Sequence, residues 1–211
     1  MKTVTAKELK TLDPKRFEKE YYKWCEYSAD DDWADWIKED YEAQMRGEGI
    51  VAEDFEWNVS YSQGDGAAFN GHVQVHEWME ANPQYMEQYP ALYLACKQDG
   101  SYVKIRTGRG MYIMASLEES WWCIEPDGIF TGLDADAWDE LVDEQASSAN
   151  LEDEIKSTCE RFMSDMYRTL RDEYEHITSE DSFVESCECN DITFELDTEE
   201  EDLAIPAQSG L

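Results

Sequence analysis

The sequence predicts an α+β fold: a small antiparallel sheet packed against N-terminal helices and a long C-terminal helix. Three patterns point to it. Apolar and polar residues alternate with period two on both sides of a glycine-rich loop around Asp65. A second pair of strand-like runs flanks Gly108-Arg109-Gly110. Apolar residues then recur at steps of three and four from Leu151 to Ile177. Each of these elements has one apolar face, and each such face needs a cover.

Asp13-Pro14 opens the first helix, because a carboxylate can cap it and the proline ring presets φ for the first turn. Phe17, Tyr21, Trp24, Cys25 and Ser28 then share a face. A second helix is expected from about Asp32 to Arg46. Trp33, Trp36, Ile37, Tyr41 and Met45 form its apolar stripe, and Gly47 and Gly49 stop it. In "FEWNVSYSQ" (55–63), Phe55, Trp57, Val59 and Tyr61 alternate with polar residues, as in a half-buried strand. "FNGHVQV" (69–75) alternates again through Phe69, Gly71, Val73 and Val75. Helical segments follow near 76–81 and 84–97, and 101–107 and 110–117 pair as a hairpin. "SWWCIE" (120–125) predicts a further strand that ends at Pro126-Asp127-Gly128.

The repeat from Leu151 to Ile177 predicts a helix of about seven turns, roughly 39 Å long. A short helix after Ser179 is expected to be capped near Asp181 or Ser182, and "DITFEL" (191–196) to be a strand. One domain is expected over 1–197, followed by an acidic disordered tail at 198–211. No internal repeat is visible.

Charge is the most informative feature. The 211 residues carry 50 Asp and Glu against 17 Lys and Arg, a net charge of -33. Aromatic residues make up 13% of the chain, so an acidic surface surrounds a real core and the chain is not a disordered acidic one. The acids are unevenly placed. Residues 110–155 hold 13 acids and no base, and 172–211 hold 14 and no base. Such stretches repel themselves on folding. They serve solubility alone, or they meet a basic partner that supplies the missing cations. Direct nucleic-acid binding is disfavoured, since phosphates would face like charge.

Met1 leads into "KTVTAKELK" without an apolar run, so no secretory leader is expected. No stretch approaches the roughly 18 apolar residues of a membrane span. The 6 cysteines are expected as free thiols.

Motifs for chemistry are sparse. Gly64-Asp65-Gly66 reads as a hairpin turn, with a small-ligand or metal contact at Asp65, or partner binding, as alternatives. It lacks G-x-G-x-x-G spacing and no helix follows it, so it is no nucleotide cradle. His72 and His76 are four apart, without the glutamate of a zinc-protease helix. Cys187-Glu188-Cys189 is at most half a metal site: no second Cys or His pair follows in sequence, and Cys159 and His176 could be recruited only through the fold. No hydrolase elbow or P-loop is present. The expectation is a protein that is not an enzyme and needs no cofactor.

One stretch carries a resemblance. "WNVSYSQGDGAAFNG" (57–71) resembles a family of tailed-bacteriophage accessory proteins with a Ser-Gln-Gly-Asp-Gly-Ala motif. "LDPKRFEKEYYKW" (12–24) and "LRDEYEHITSEDSFVESCECNDITFELD" (170–197) are similar to it as well. The resemblance covers about residues 5 to 197. It implies an origin, an accessory phage gene acting in the cytoplasm of an infected bacterium, and carries no mechanism. The acidity is similar to that of phage DNA-mimic anti-defence proteins.

Charge and resemblance together predict an inhibitor that binds a basic host DNA-binding defence protein by imitating the DNA backbone. Its binding residues are expected to be Asp134, Asp136, Asp139, Glu140, Asp143 and Glu144, with Glu180, Asp181 and Glu185. Two other classes stay open. One is an enzyme or small-molecule binder centred on Gly64-Asp65-Gly66; the other is an antitoxin-like interaction protein whose acidity serves solubility.

Overall fold

The computed structural model describes residues 2–29, 31–60, 65–107, 113–118 and 132–196. It has the expected α+β character, and the chain groups into two compact units. One combines the two ends of the chain, Met1–Asp31 and Tyr174–Leu211; the other is Asp32–Glu173.

The terminal unit is built from β1 (Lys2–Val4), α1 (Ala6–Leu12), α2 (Pro14–Ser28), α9 (Glu180–Cys189) and β6 (Phe194–Leu196). β1 and β6 pair antiparallel, with Val4 opposite Phe194. Thr5 and Glu8 form a capping box on α1, and Asp13 caps α2 by accepting from the Arg16 N–H at 3.1 Å, ahead of Pro14. Ser179, not Asp181 or Ser182, caps α9, because its Oγ accepts the Ser182 N–H at 3.1 Å. The core here is Val4, Leu9, Phe17, Phe183, Val184 and Cys187, covered by Tyr21, Trp24 and Phe194. The Tyr21 hydroxyl donates to the Thr178 carbonyl at 2.6 Å.

The central unit holds α3 (Asp35–Gly47), β2 (Ile50–Asn58), β3 (Gly66–Gln74), α4 (Val75–Ala81), α5 (Pro83–Gln88), α6 (Pro90–Asp99), β4 (Tyr102–Thr107), β5 (Ile113–Glu118), α7 (Ala135–Ala149) and most of α8 (Leu151–Ile177). The four strands form an antiparallel sheet in the order β2-β3-β4-β5. Phe69, Val73, Val103 and Ile105 turn inward onto Trp78, Met79, Leu92, Trp138, Val142, Ile155 and Phe162. A second cluster joins Ile37 of α3, Ala67 of β3 and Met166 and Leu170 of α8, so the sheet packs on both an N-terminal helix and the long one.

Several boundaries differ from expectation. β2 begins at Ile50 and ends at Asn58, not at 55–63. A bulge between Ala52 and Asp54 breaks the alternation there and hides the first half of the strand from a period-two search. Pro90 divides the expected 84–97 helix into α5 and α6, and Pro83 and Pro90 each stand in the first turn of one of them. β1, α1 and α7 were not anticipated. Trp36 was assigned to the apolar stripe of its helix, yet it is 54% exposed.

Two glycines are demanded by their surroundings. Gly49 has φ +71°, and a Cβ on it would sit 2.7 Å from the Glu77 Cβ and 2.8 Å from the Trp78 backbone nitrogen. A Cβ on Gly71 would lie 2.0 Å from the Val51 carbonyl oxygen. β2 and β3 approach this closely only because Gly71 has no side chain. The 108–110 turn, the 120–125 strand with its 126–128 stop, and the 198–211 tail lie outside the described residues.

Candidate functional site

α7 starts at Asp134, whose carboxylate accepts the Ala137 N–H at 2.9 Å as an N-cap. Its inner face carries Trp138 and Val142, both fully buried. Gln145 extends that face. Its Oε1 accepts the N–H groups of Ala91 and Leu92, at 3.0 and 3.1 Å. Those amides belong to the first turn of α6, which has no side-chain cap of its own. Apolar burial and a shared cap thus fix how α7 is turned about its axis.

That orientation sends the acids outward. At about 100° per residue, Asp136, Asp139, Glu140, Asp143 and Glu144 fall within an arc of about 140° centred away from Trp138. All five are exposed or half-exposed. From Asp136 to Glu144 the axis rises about 12 Å in steps that alternate between about 4.5 and about 1.5 Å, a mean axial spacing of about 3 Å per carboxylate. One strand of B-DNA places a phosphate every ~3.4 Å. None of the five makes an ion pair with a described residue. The acids of α8 differ: Lys156, Arg168 and Arg171 lie beside Glu160, Asp165 and Asp172, and Arg161 reaches Glu48 at 3.1 Å.

Glu180, Asp181 and Glu185 are exposed on α9, in the terminal unit, and are not part of the α7 row. Glu180 is already engaged, its Oε2 lying 2.6 Å from the Lys10 Nζ. A hydrogen bond from the ammonium to that carboxylate holds Lys10 above the ordinary lysine range. Glu180 and Asp181 also sit in the first turn of α9, where the helix dipole favours negative charge. Of the 172–211 acids, Glu188 pairs with Lys7 at 3.0 Å. The second acidic stretch is therefore partly neutralised by α1, which charge counting along the chain could not reveal.

Gly64 lies outside the described residues. Gly66 is the first residue of β3, opposite Asn58. Asp65 bonds back to the segment that follows β2: Ser60 Oγ donates to its Oδ1 at 3.1 Å, and the Ser60 N–H donates to Asn58 Oδ1 at 3.1 Å. His72 lies on β3 and His76 on α4. Cys187 is buried and Cys189 exposed, so they leave α9 on different sides. Among the described residues, no group of three or more His, Cys, Asp or Glu could hold a metal ion. No disulfide joins the five described cysteines. Burial, with Glu160 and Glu48 nearby, pushes the Cys159 thiol up to about 12, the opposite of an activated nucleophile. Among the described residues no helix is long and apolar enough to cross a membrane.

Reasoning from sequence missed that 135–149 is a helix and that Gln145 locks it. The signal was present: Trp138, Val142, Gln145 and Ala149 are spaced at three and four. It also missed a groove of about 350 Å³ on the outer face of the sheet, lined by residues of β2, β3 and β4. No curated protein and no solved structure matches this chain. Residues 33–180, which take in all but the first residue of the central unit, match the model of a family described as Domain of unknown function (DUF8835), and the chain belongs to that family.

Proposed function

We propose that the protein is a phage-encoded acidic inhibitor. It acts in the cytoplasm of the infected host and binds a basic DNA-binding defence protein, such as a restriction or other nuclease complex, in place of DNA. The carrying observation is the α7 row: five carboxylates with a mean axial spacing of about 3 Å on one outward face, with no described counter-ion. A basic cleft shaped for phosphates would supply those cations and release its own bound anions. The phage resemblance of the Ser-Gln-Gly-Asp-Gly-Ala stretch supports the setting.

The test is capture followed by competition. The full chain, immobilised, is exposed to bacterial lysate, and the retained protein is identified and purified. Duplex DNA is then titrated against the pair. The expected result is mutual exclusion, with binding that weakens steeply as salt rises, because screening shortens to about 8 Å at 0.15 M. Joint replacement of Asp136, Asp139 and Asp143 by Asn, and of Glu140 and Glu144 by Gln, should abolish capture while leaving the helix folded. Each single change should cost little, as exposed charges do. A partner that holds DNA and this protein together, without mutual weakening, overturns the mimicry.

A further inference from the structure

We propose that the groove on the outer face of the sheet is a binding site for a small anion that presents a phosphate or carboxylate group, held by Lys104 and His72. The inference is independent of the α7 face.

The groove, about 350 Å³, is lined by Glu53, Gly71, His72, Gln74, Tyr102 and Lys104. That volume lies within the range of small-molecule sites, and polar groups converge in it. Alternation along the strands explains the lining. Val73, Val103 and Ile105 turn into the core, so His72, Gln74, Tyr102 and Lys104 turn out. His72 and Lys104 are direct partners in the β3–β4 ladder, which places their Cβ atoms roughly 5 Å apart. Two basic side chains thus share one spot in a chain with 50 acids. Lys104 makes no ion pair with a described residue.

The surroundings set the imidazole. The β2 bulge between Ala52 and Asp54 carries Glu53, and its Oε1 lies 3.4 Å from His72 Nδ1. Tyr102 meets the ring edge-on, with centroids 5.7 Å apart. With Nδ1–H turned to Glu53, Nε2 holds an anion as the second N–H donor of the doubly protonated ring, beside the Lys104 ammonium. Gln74 adds an amide donor, and Gly71 is part of the lining. The net charge of -33 does not decide against an anion here, because distant charges are screened beyond about 8 Å, and the nearby Glu53 carboxylate faces the other ring nitrogen, His72 Nδ1.

The chain has only 3 histidines, so side-chain nitrogen NMR can follow His72 by itself once a His72→Gln variant assigns it. Inorganic phosphate and acetate are titrated separately into the full chain at constant ionic strength, with sodium chloride as the reference. The expected result is a saturable shift of the His72 signal with at least one of them, His76 and His176 staying still; the tighter anion identifies the head group. Lys104→Met should weaken that binding by about tenfold or more, the loss of one charge-assisted hydrogen bond. Lys104→Arg, which keeps the charge, should retain it and guards against a folding defect. Lys156→Met, on α8, should change nothing. No saturable shift with either anion, or an equal loss in Lys104→Met and Lys156→Met, overturns the proposal.

Discussion

Replacing Trp138 with alanine tests the account of α7 directly. Trp138 is 0% exposed, and its burial turns the acidic face outward. A buried tryptophan removes about 200 Å² from water, and at about 25 cal/mol per Å² that is worth about 5 kcal/mol as an upper bound. Measured truncations of this kind cost about 3–5 kcal/mol. For a chain of this size, the melting temperature should fall by about 6–20 °C. Trp36 supplies the comparison. The sequence pattern puts it in the apolar stripe of α3, yet 54% of it remains exposed. Trp36→Ala leaves no cavity and should cost about 1–2 kcal/mol at most. Urea titrations followed by far-UV circular dichroism, compared at equal slope, measure both losses without relying on tryptophan emission. A Trp138→Ala loss below about 1 kcal/mol, or a Trp36→Ala loss as large, would refute the reasoning. It would mean that α7 is not seated by this side chain.

Other outcomes follow from the same structure. Asp65→Ala removes the acceptor of the Ser60 hydroxyl, so stability should drop by about 0.5–1.5 kcal/mol with partner capture intact; abolished capture in a folded variant would make the loop a site. At mildly alkaline pH a small thiol reagent should modify exposed Cys189 before buried Cys159, as peptide mapping would show, and Cys159 should react only on unfolding. Burial, with Glu160 and Glu48, raises the Cys159 thiol, and burial, with Glu154, raises the Tyr85 hydroxyl, each to about 12. Both groups hold their protons more tightly folded than unfolded. Their contribution to stability is therefore complete below the unfolded values of 9.0 and 10.0, and is lost as pH rises from there towards about 12. Denaturation midpoints that stay level across that window would contradict the burial of these side chains.

Sequence alone determined the elements whose signals are local. Asp13 and Pro14 start α2, the apolar repeat of 151–177 makes α8, and alternation gives β3 and β4, because capping, ring constraint and side-chain period act over a few residues. Sequence also determined that the surface is strongly acidic. It could not show which acids stand free. Lys10 and Lys7 reach Glu180 and Glu188 from the other end of the chain, while nothing described reaches the α7 row. Only the tertiary structure decided that. The bulge at Glu53, the ladder that sets His72 beside Lys104, and the hold of Gln145 on Ala91 and Leu92 likewise depend on strands and helices far apart in sequence. A side chain's neighbours across a sheet or between helices follow from register and packing, and no local pattern encodes them.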